Sequence, residues 1–185
     1  MQAGEIEDWF GEVYAVYRQI LETRKPVIAA LNGVAAGAGF QIALVADLRV
    51  AHEGVRMGQP EINAGIPSIM GSHWMGLHLG HSAVRDLSLT GRLIEAAEAE
   101  RLGLINRMVG EREVVAAAGA LAAELAAKPA VAWARSKARL REIALAGFDE
   151  VFRAAVAAQR EAFASGEPQA IMDAFLARRG GGARD

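Results

Sequence analysis

The sequence has no cysteine among its 185 residues, which excludes disulfide bonds and thiol catalysis. This absence is compatible with a reducing compartment, and Met1 is followed by acids rather than by a basic, apolar leader, so we expect a cytoplasmic protein. Aromatic residues make up only 6%, and no basic residues interleave with Trp9 and the two tyrosines. The formal net charge is −2. We therefore expect neither a nucleic-acid partner nor a membrane partner.

Apolar residues make up 52% of the chain, which predicts one compact domain with a sizeable core. The segment from Val27 to Ala46 contains no charge and is long enough, at roughly 20 residues, to span a bilayer. Asn32, Gln41 and several glycines interrupt it, however, and a β-branched run precedes a turn inside it. A buried strand, turn and helix is therefore a better interpretation than a membrane span.

A glycine-rich turn, Gly37-Ala38-Gly39, separates two apolar runs. Val27 to Leu31 is typical of a buried strand, and Phe40 to Ala46 is typical of a buried helix. The first amides of a helix have no internal partner and favour an anion or a developing oxyanion. The alternative is that these glycines only allow tight packing of the strand against the helix.

Glu61 is a single acid in the otherwise uncharged segment from Met57 to Leu77, apart from its histidines. Burial would raise the pKa of such a carboxyl and suit it to general acid–base catalysis. The alternative is a structural acid that is hydrogen-bonded to backbone amides.

Two further chemistries are disfavoured in the region that follows. Ser68 and Ser72 lack the pattern around a nucleophilic serine. The three histidines between residues 73 and 81 are not spaced to share one helical face, and no nearby carboxylate completes a metal site. We therefore expect no bound metal.

The remaining chain is predicted to be mainly helical. We predict helices at Ile6–Glu22, Ser82–Thr90 with Ser82 as the cap, Glu95–Leu102, Val114–Ala127, Pro129–Ala146, Asp149–Ser165 and Pro168–Ala177, and strands at Val50–Ala51 and Leu104–Val109.

Four motifs together resemble the crotonase (enoyl-CoA hydratase/isomerase) superfamily. In chain order they are KPVIAALNG, AGAGFQIALVADLRVA, GQPEINAGIPS and LTGRLIEAAEAERLGLINRMV, and the tail SGEPQAIMDAFLARRG is similar to the family's closing helix. The resemblance implies an α/β fold, with a crotonase-type spiral of strand-strand-helix units over residues 1–110 and a C-terminal helical region over residues 111–185. It also implies trimer contacts through those helices, and hence a homotrimer or homohexamer.

The resemblance further implies acyl-CoA chemistry through an oxyanion-stabilised thioester enolate, as in fatty acid metabolism. The coenzyme A thioester is the substrate, and no separate cofactor is expected. Ala38 matches a residue whose amide forms half of the oxyanion hole, and Glu61 matches a catalytic acid. Gln41 stands where many hydratases have a glutamate, and we expect Gln41 and Ser68 to contact the substrate. Since an amide cannot take up a proton, isomerisation fits somewhat better than two-acid hydration, with single-acid hydration and lyase chemistry left open.

The resemblance begins after the family's first section, which supplies the other oxyanion donor. Loss of one such donor typically lowers the rate on the order of 100- to 1000-fold. The alternative function is therefore a truncated, non-catalytic or severely impaired family member with a binding or assembly role.

Overall fold

The structure, a computed structural model, describes residues 3–181, and the side chains of residues 5–178. Within these residues the strands are β1 (Ile28–Leu31), β2 (Ala35–Ala36), β3 (Leu48–Ala51), β4 (Arg56–Gly58), β5 (Leu93–Glu95) and β6 (Arg107–Met108). The helices are α1 (Ala3–Glu22), α2 (Ala38–Val45), α3 (Ile69–Gly76), α4 (His81–Thr90), α5 (Ala96–Arg101), α6 (Val114–Ala126), α7 (Ala130–Leu145), α8 (Phe148–Ser165) and α9 (Glu167–Gly181). Short 3-10 turns lie at Pro60–Ala64 and Glu111–Glu113.

The strands form two small three-stranded sheets. One has the order β1-β3-β6 and is parallel, with Ala30 opposite Val50. The other has the order β2-β4-β5, in which β2 and β4 are parallel and β4 and β5 are antiparallel. Because α2 follows β2 directly, the start of this helix is held at the end of the second sheet. The strands alternating with helices confirm the predicted α/β class.

The main core lies where α1, α2, α3 and α8 meet. Phe40, Trp74 and Phe148 are fully buried there, and Trp74 and Phe148 have ring centroids 4.5 Å apart. Helix α6 covers the first sheet, where Val50 and Leu121 belong to a second, smaller cluster. Because α8 packs in the main core, it is part of the scaffold that shapes the site. The predicted division of the chain into a spiral core (residues 1–110) and a C-terminal helical region (residues 111–185) stays a prediction.

Two buried cations fix the C-terminal end of α2. The Arg49 guanidinium donates to the carbonyls of Leu104, at 2.7 Å, and of Ala43 and Ala46, at 3.2 and 3.1 Å. Burial lowers the pKa of Arg49 to about 10. Lys137 Nζ lies 2.7 Å from Asp47 Oδ2 and so ties α7 to the end of the same helix.

Several predicted boundaries need correction. Ser82 does not cap α4: the helix begins at His81, Gly80 occupies the cap position, and no side chain caps it. The strand predicted over residues 104–109 is shorter in the structure, where only Arg107 and Met108 pair with β3 as β6. Leu104 and Ile105 are buried but do not pair with a neighbouring strand. The strand β5 was not predicted.

Within the described residues no single helix is long and apolar enough to cross a membrane. One pair of helical segments, 111–126 and 130–165, is long and apolar enough only when the two are taken together, and they are bent by 111° relative to each other.

Candidate active site

The glycine turn positions the first amide of α2. Gly37 has a φ of +58°, which favours glycine, and its N–H donates to the carbonyl of Gly58 at 3.0 Å. Ala38 then begins α2 and is exposed. Within residues 3–181 the Ala38 N–H has no hydrogen-bond acceptor, as expected for the first helical residue. The partial positive charge of the helix end is therefore free to meet an oxygen atom.

The Glu61 carboxyl lies against this same turn. Glu61 belongs to the 3-10 turn Pro60–Ala64, which ends at Gly65 with a left-handed φ of +71°. A Cβ atom at position 37 would lie only 2.8 Å from Glu61 Oε1. Glycine at position 37 is therefore required twice, by its backbone angle and by the close approach of this carboxyl.

One oxygen of the carboxyl is paired and the other is not. Glu61 Oε1 accepts a hydrogen bond from Gln41 Nε2 at 3.4 Å, whereas buried Oε2 has no partner within the described protein. Burial raises the pKa of Glu61, and a backbone hydrogen bond partly opposes this effect. Such a carboxyl releases its proton at higher pH than an exposed glutamate and takes one up more readily from a bound molecule.

Gln41 connects Glu61 to a tyrosine that the sequence analysis did not single out for the site. The Tyr17 hydroxyl donates to Gln41 Oε1 at 2.6 Å, and both side chains are buried. Burial and then the charge of Glu61 raise the pKa of Tyr17 far above its ordinary value of 10. Tyr17 therefore stays protonated and directs the nitrogen of the Gln41 amide towards Glu61.

A cavity of about 140 Å³ brings together the four residues predicted for the site, Ala38, Gln41, Glu61 and Ser68. Their catalytic and binding roles stay predictions. The rest of its lining is Trp9, Phe10, Val13, Tyr17, Gln59, Ile66, Pro67, Ile69, Met70, Gly71 and Gln159.

Three polar residues of the lining, Tyr17, Gln59 and Gln159, were not predicted from the sequence as site residues. Gln159 follows Ala155 and Val156 by four and three positions, and this helical spacing indicates that it lies on the buried face of α8. Only packing reveals that this face reaches the cavity that Glu61 also lines.

The histidines lie elsewhere and serve packing. His73 donates to the carbonyl of Ala144 at 3.2 Å, and His78 donates to the carbonyl of Leu44 at 2.9 Å. Neither lines the cavity. In the part of the chain that the structure describes, no group of three or more His, Cys, Asp or Glu side chains is arranged to hold a metal ion.

The Glu61 carboxyl thus lies beside the free amide at the start of α2, at the end of the second sheet of an α/β fold. Residues 4–181 match the model of the family described as enoyl-CoA hydratase/isomerase, and the chain belongs to that family.

Individual relatives agree with this assignment. The chain is 34% identical over 178 residues to a "probable enoyl-CoA hydratase" of Rhizobium meliloti (strain 1021), covering 94% of this chain and 68% of the relative. It is 33% identical to the short-chain-enoyl-CoA hydratase of Clostridium acetobutylicum, covering 89% and 63%. The structure of methylmalonyl-CoA decarboxylase in complex with 2-nitronate-propionyl-CoA aligns with a TM-score of 0.78 at 26% identity, covering 90% of this chain and 65% of that one. The chain thus spans roughly two thirds of the length of these proteins.

Proposed function

We propose that the protein processes acyl-CoA thioesters by enoyl-CoA hydratase/isomerase chemistry, with Glu61 moving the proton. The observation behind this proposal is the position of the Glu61 carboxyl, which lies against the Gly37 turn, has one oxygen without a hydrogen-bond partner, and belongs to a residue that lines the same cavity as Ala38. The names of two relatives, both enoyl-CoA hydratases, and the acyl-CoA ligand of the aligned decarboxylase support the same substrate class.

In this mechanism the thioester carbonyl oxygen accepts a hydrogen bond from the Ala38 N–H at the start of α2. Glu61, as a carboxylate, takes a proton from a carbon atom next to the carbonyl or conjugated with it. The electron pair of the broken C–H bond passes to the carbonyl oxygen, and the amide and the helix end stabilise the resulting enolate. Glu61 then returns the proton to another carbon, which moves the double bond.

Gln41 favours isomerisation over hydration by two acids. Its amide donates to Glu61 and accepts from Tyr17, so it orients the carboxyl but cannot itself take up or release a proton. One carboxyl suffices to remove and return one proton. Hydration that relies on Glu61 alone is the second reaction to test.

The experiment is a turnover assay of the purified protein with straight-chain 2-enoyl-CoA and 3-enoyl-CoA thioesters, with products separated by chromatography. Isomerisation yields the shifted double bond, and hydration yields the 3-hydroxyacyl thioester. We expect Glu61→Gln to lower kcat at least 100-fold, whereas Glu53→Gln, at an exposed position after β3, should leave it unchanged.

A folded protein that neither turns over nor binds any of these thioesters would contradict the enzyme proposal. It would favour the alternative of a family member with a binding or assembly role.

We also propose that the protein self-associates as a homotrimer or homohexamer. Helix α9 exposes a run of large apolar side chains, Ile171, Met172, Phe175 and Leu176. Sedimentation velocity of the purified protein, compared with a Met172→Glu variant, tests this proposal: the wild type should sediment as an oligomer and the variant as a smaller species. A monomeric wild type would contradict it.

A further inference from the structure

The last turn of α2 is capped by side chains from other parts of the chain. The last four carbonyls of an α-helix have no partner within the helix. In α2 three of these four, those of Ala43, Leu44 and Ala46, accept hydrogen bonds from side chains. Arg49 Nη1 donates to the first and the last of them at 3.2 and 3.1 Å, and His78 Nε2 donates to the middle one at 2.9 Å. The carboxyl end of this helix is therefore fixed from outside the helix.

Arg49 is itself held firmly by the first sheet. It lies in β3, opposite Ala29 of β1. Its backbone N–H donates to Asn106 Oδ1 at 2.9 Å, and its carbonyl accepts from the Asn106 N–H at 3.0 Å. Its Nε donates to the carbonyl of Leu104 at 2.7 Å. The guanidinium thus connects a fixed strand to the end of α2.

The carboxyl end of α2 carries one positive charge in excess. Lys137 and Asp47 form an ion pair there at 2.7 Å, so their charges offset each other. Burial and then the charge of Arg49 lower the pKa of His78, which favours its neutral form. Within residues 3–181 the hydrogen bonds of the Arg49 guanidinium go to carbonyls and not to carboxylates. The excess charge at this end of the helix is therefore that of Arg49.

A buried cation is an energetically costly helix cap. Arg49 is only 3% exposed, and burial lowers its pKa to about 10. An uncharged donor, such as a side-chain amide, can satisfy carbonyls without the cost of removing a charge from water. A neutral cap cannot, however, cancel the negative pole of the helix, which amounts to roughly half an elementary charge. Capping alone therefore does not explain why this group is charged.

The opposite end of α2 is the candidate oxyanion site, where Ala38 begins the helix with a free N–H. The negative pole of a helix opposes the attraction of its positive pole for an anion, and a cation at the negative pole removes this opposition. Because α2 has eight residues, its two ends are only about 12 Å apart. At an effective dielectric constant of about 20 to 40, a unit charge at roughly this distance changes an equilibrium that forms an anion about 3- to 10-fold.

We infer that Arg49 is a positioning residue of the oxyanion site: its guanidinium fixes the carboxyl end of α2 and neutralises the negative pole there, so that the Ala38 amide stabilises an enolate more strongly. This inference rests on the proposed function, since it assumes that the thioester oxygen binds at that amide. It adds a residue that does not line the cavity and acts on the reaction through the helix.

The test compares the binding of a charged and a neutral thioester, 2-nitropropionyl-CoA and propionyl-CoA. The nitro group makes the α carbon acidic, and the resulting nitronate carries its negative charge next to the thioester carbonyl, as an enolate does. Calorimetry, at a pH at which the nitro compound is ionised, gives the nitronate preference, which is the dissociation constant of propionyl-CoA divided by that of the nitronate. We expect Arg49→Gln to lower this preference about 3- to 10-fold. Arg49→Lys, which keeps the charge, should recover most of it.

Arg107→Gln is the matched control, because Arg107 lies on the neighbouring strand β6 with its side chain 45% exposed. This variant removes the same charge from the surface and should leave the nitronate preference unchanged. A lower Tm of Arg49→Gln with an unchanged preference would show a purely structural cap and would overturn the inference.

A second pair of variants tests the electrostatic argument without changing Arg49, and it decides the matter if Arg49→Gln does not fold. Lys137→Met leaves the Asp47 carboxylate to offset the guanidinium, so the nitronate preference should fall about 3- to 10-fold here too. Adding Asp47→Asn restores the excess positive charge and should restore the preference. An unchanged preference in Lys137→Met would overturn the inference, because a purely structural cap does not depend on the net charge.

Turnover of enoyl-CoA thioesters separates a failure of this inference from a failure of the proposed function. A wild type that turns over a thioester, with a nitronate preference that Arg49→Gln leaves unchanged, would overturn the inference alone. A preference that falls as expected in a protein without turnover would support the inference and contradict the proposed chemistry. A wild type that binds neither thioester would overturn both.

Discussion

Tyr17 donates its hydroxyl hydrogen to Gln41 Oε1 over 2.6 Å, and this bond determines which end of the Gln41 amide faces Glu61. An amide offers either a donor or an acceptor, depending on its rotation. With its oxygen engaged by Tyr17, Gln41 can offer Glu61 only its nitrogen. The tyrosine thus acts on the carboxyl indirectly, as a positioning residue.

We predict that Tyr17→Phe shifts the pH dependence of activity. Without the hydroxyl, the Gln41 amide is free to rotate, and the Glu61 carboxylate loses its oriented donor. Loss of a hydrogen bond to the charged form raises the pKa of a carboxyl. Since Glu61 must be ionised to take a proton, the acidic limb of the kcat/KM profile should move to higher pH, while the plateau changes only a few-fold.

Tyr14→Phe is the matched control for this prediction. Tyr14 hydrogen-bonds with Asp149 and Arg18 and does not line the cavity. Its removal should leave the position of the acidic limb unchanged, at a stability cost of about 1 kcal/mol for the lost hydrogen bonds. Identical pH profiles for Tyr17→Phe and the wild type would show that the tyrosine is a packing residue only.

We predict that Glu61→Gln stabilises the protein at neutral pH. Burial raises the pKa of Glu61 in the folded state above its ordinary value of 4.5. The folded state therefore binds more protons than the unfolded state between these two values, and stability falls as the pH rises through that window. Above the window, the wild type carries a desolvated charge that glutamine does not.

Urea unfolding at a series of pH values checks this prediction. The free energy of unfolding of Glu61→Gln should exceed that of the wild type at pH 7, and the difference should shrink towards zero below about pH 4, where a carboxyl is protonated in both states. The exposed Glu53→Gln variant should show no such pH-dependent gain. A variant less stable than the wild type at pH 7 would mean that the Glu61 charge is well satisfied in the folded protein.

The parts of the fold that were predictable are those with strong local patterns. The apolar run before Asn32 forms β1, and the glycine turn is followed by a buried helix, because β-branched runs and positive φ angles leave clear signals in a sequence. The predicted cap at Ser82 was wrong, since the chain enters α4 one residue earlier through Gly80. A cap depends on a single backbone angle, which a pattern does not determine.

The candidate site was predictable in part. Ala38 and Glu61 stand out locally, in a glycine turn and as an isolated acid, but their roles were expected only from the resemblance to a family. Tyr17 and Gln159 are not recognisable from their neighbours: each belongs to a helix whose packing alone brings it to the cavity, and Gln159 lies 98 positions from Glu61 in the sequence. Contacts of such separation depend on tertiary packing, which composition and periodicity do not encode.

We predict that Gly37→Ala is harmful in two ways. A side chain at a φ of +58° strains the backbone, and its Cβ would lie 2.8 Å from Glu61 Oε1. We expect a loss of roughly 1–3 kcal/mol in unfolding free energy, together with a displaced carboxyl and lower kcat. Gly39→Ala is the control for stability, because a Cβ there meets nothing within 4 Å and alanine favours a helix by about 1 kcal/mol. Equal stabilities for the two variants would contradict the strain argument.

We predict that removing Lys137 from its buried pair with Asp47 costs far more stability than removing a lysine from an exposed ion pair, because it leaves a partly buried carboxylate without its cation. The Lys137 side chain is only 10% exposed, and its Nζ lies 2.7 Å both from Asp47 Oδ2 and from the carbonyl of Lys25. Asp47 Oδ2 also accepts from the Val27 N–H at 2.7 Å. Lys137→Met would leave the carboxylate partly buried without its cation, which typically costs about 3–5 kcal/mol.

Lys128→Met is the matched control, because Lys128 lies on the surface 3.8 Å from Glu124, and such exposed pairs contribute about 1 kcal/mol or less. Denaturant unfolding of both variants at pH 7 measures the difference. A further Asp47→Asn change should recover part of the loss in Lys137→Met, since it removes the unpaired charge while an amide oxygen can still accept from Val27. If the two lysine variants lose equal stability, the attachment of α7 to the end of α2 depends on apolar packing, and the ion pair contributes little.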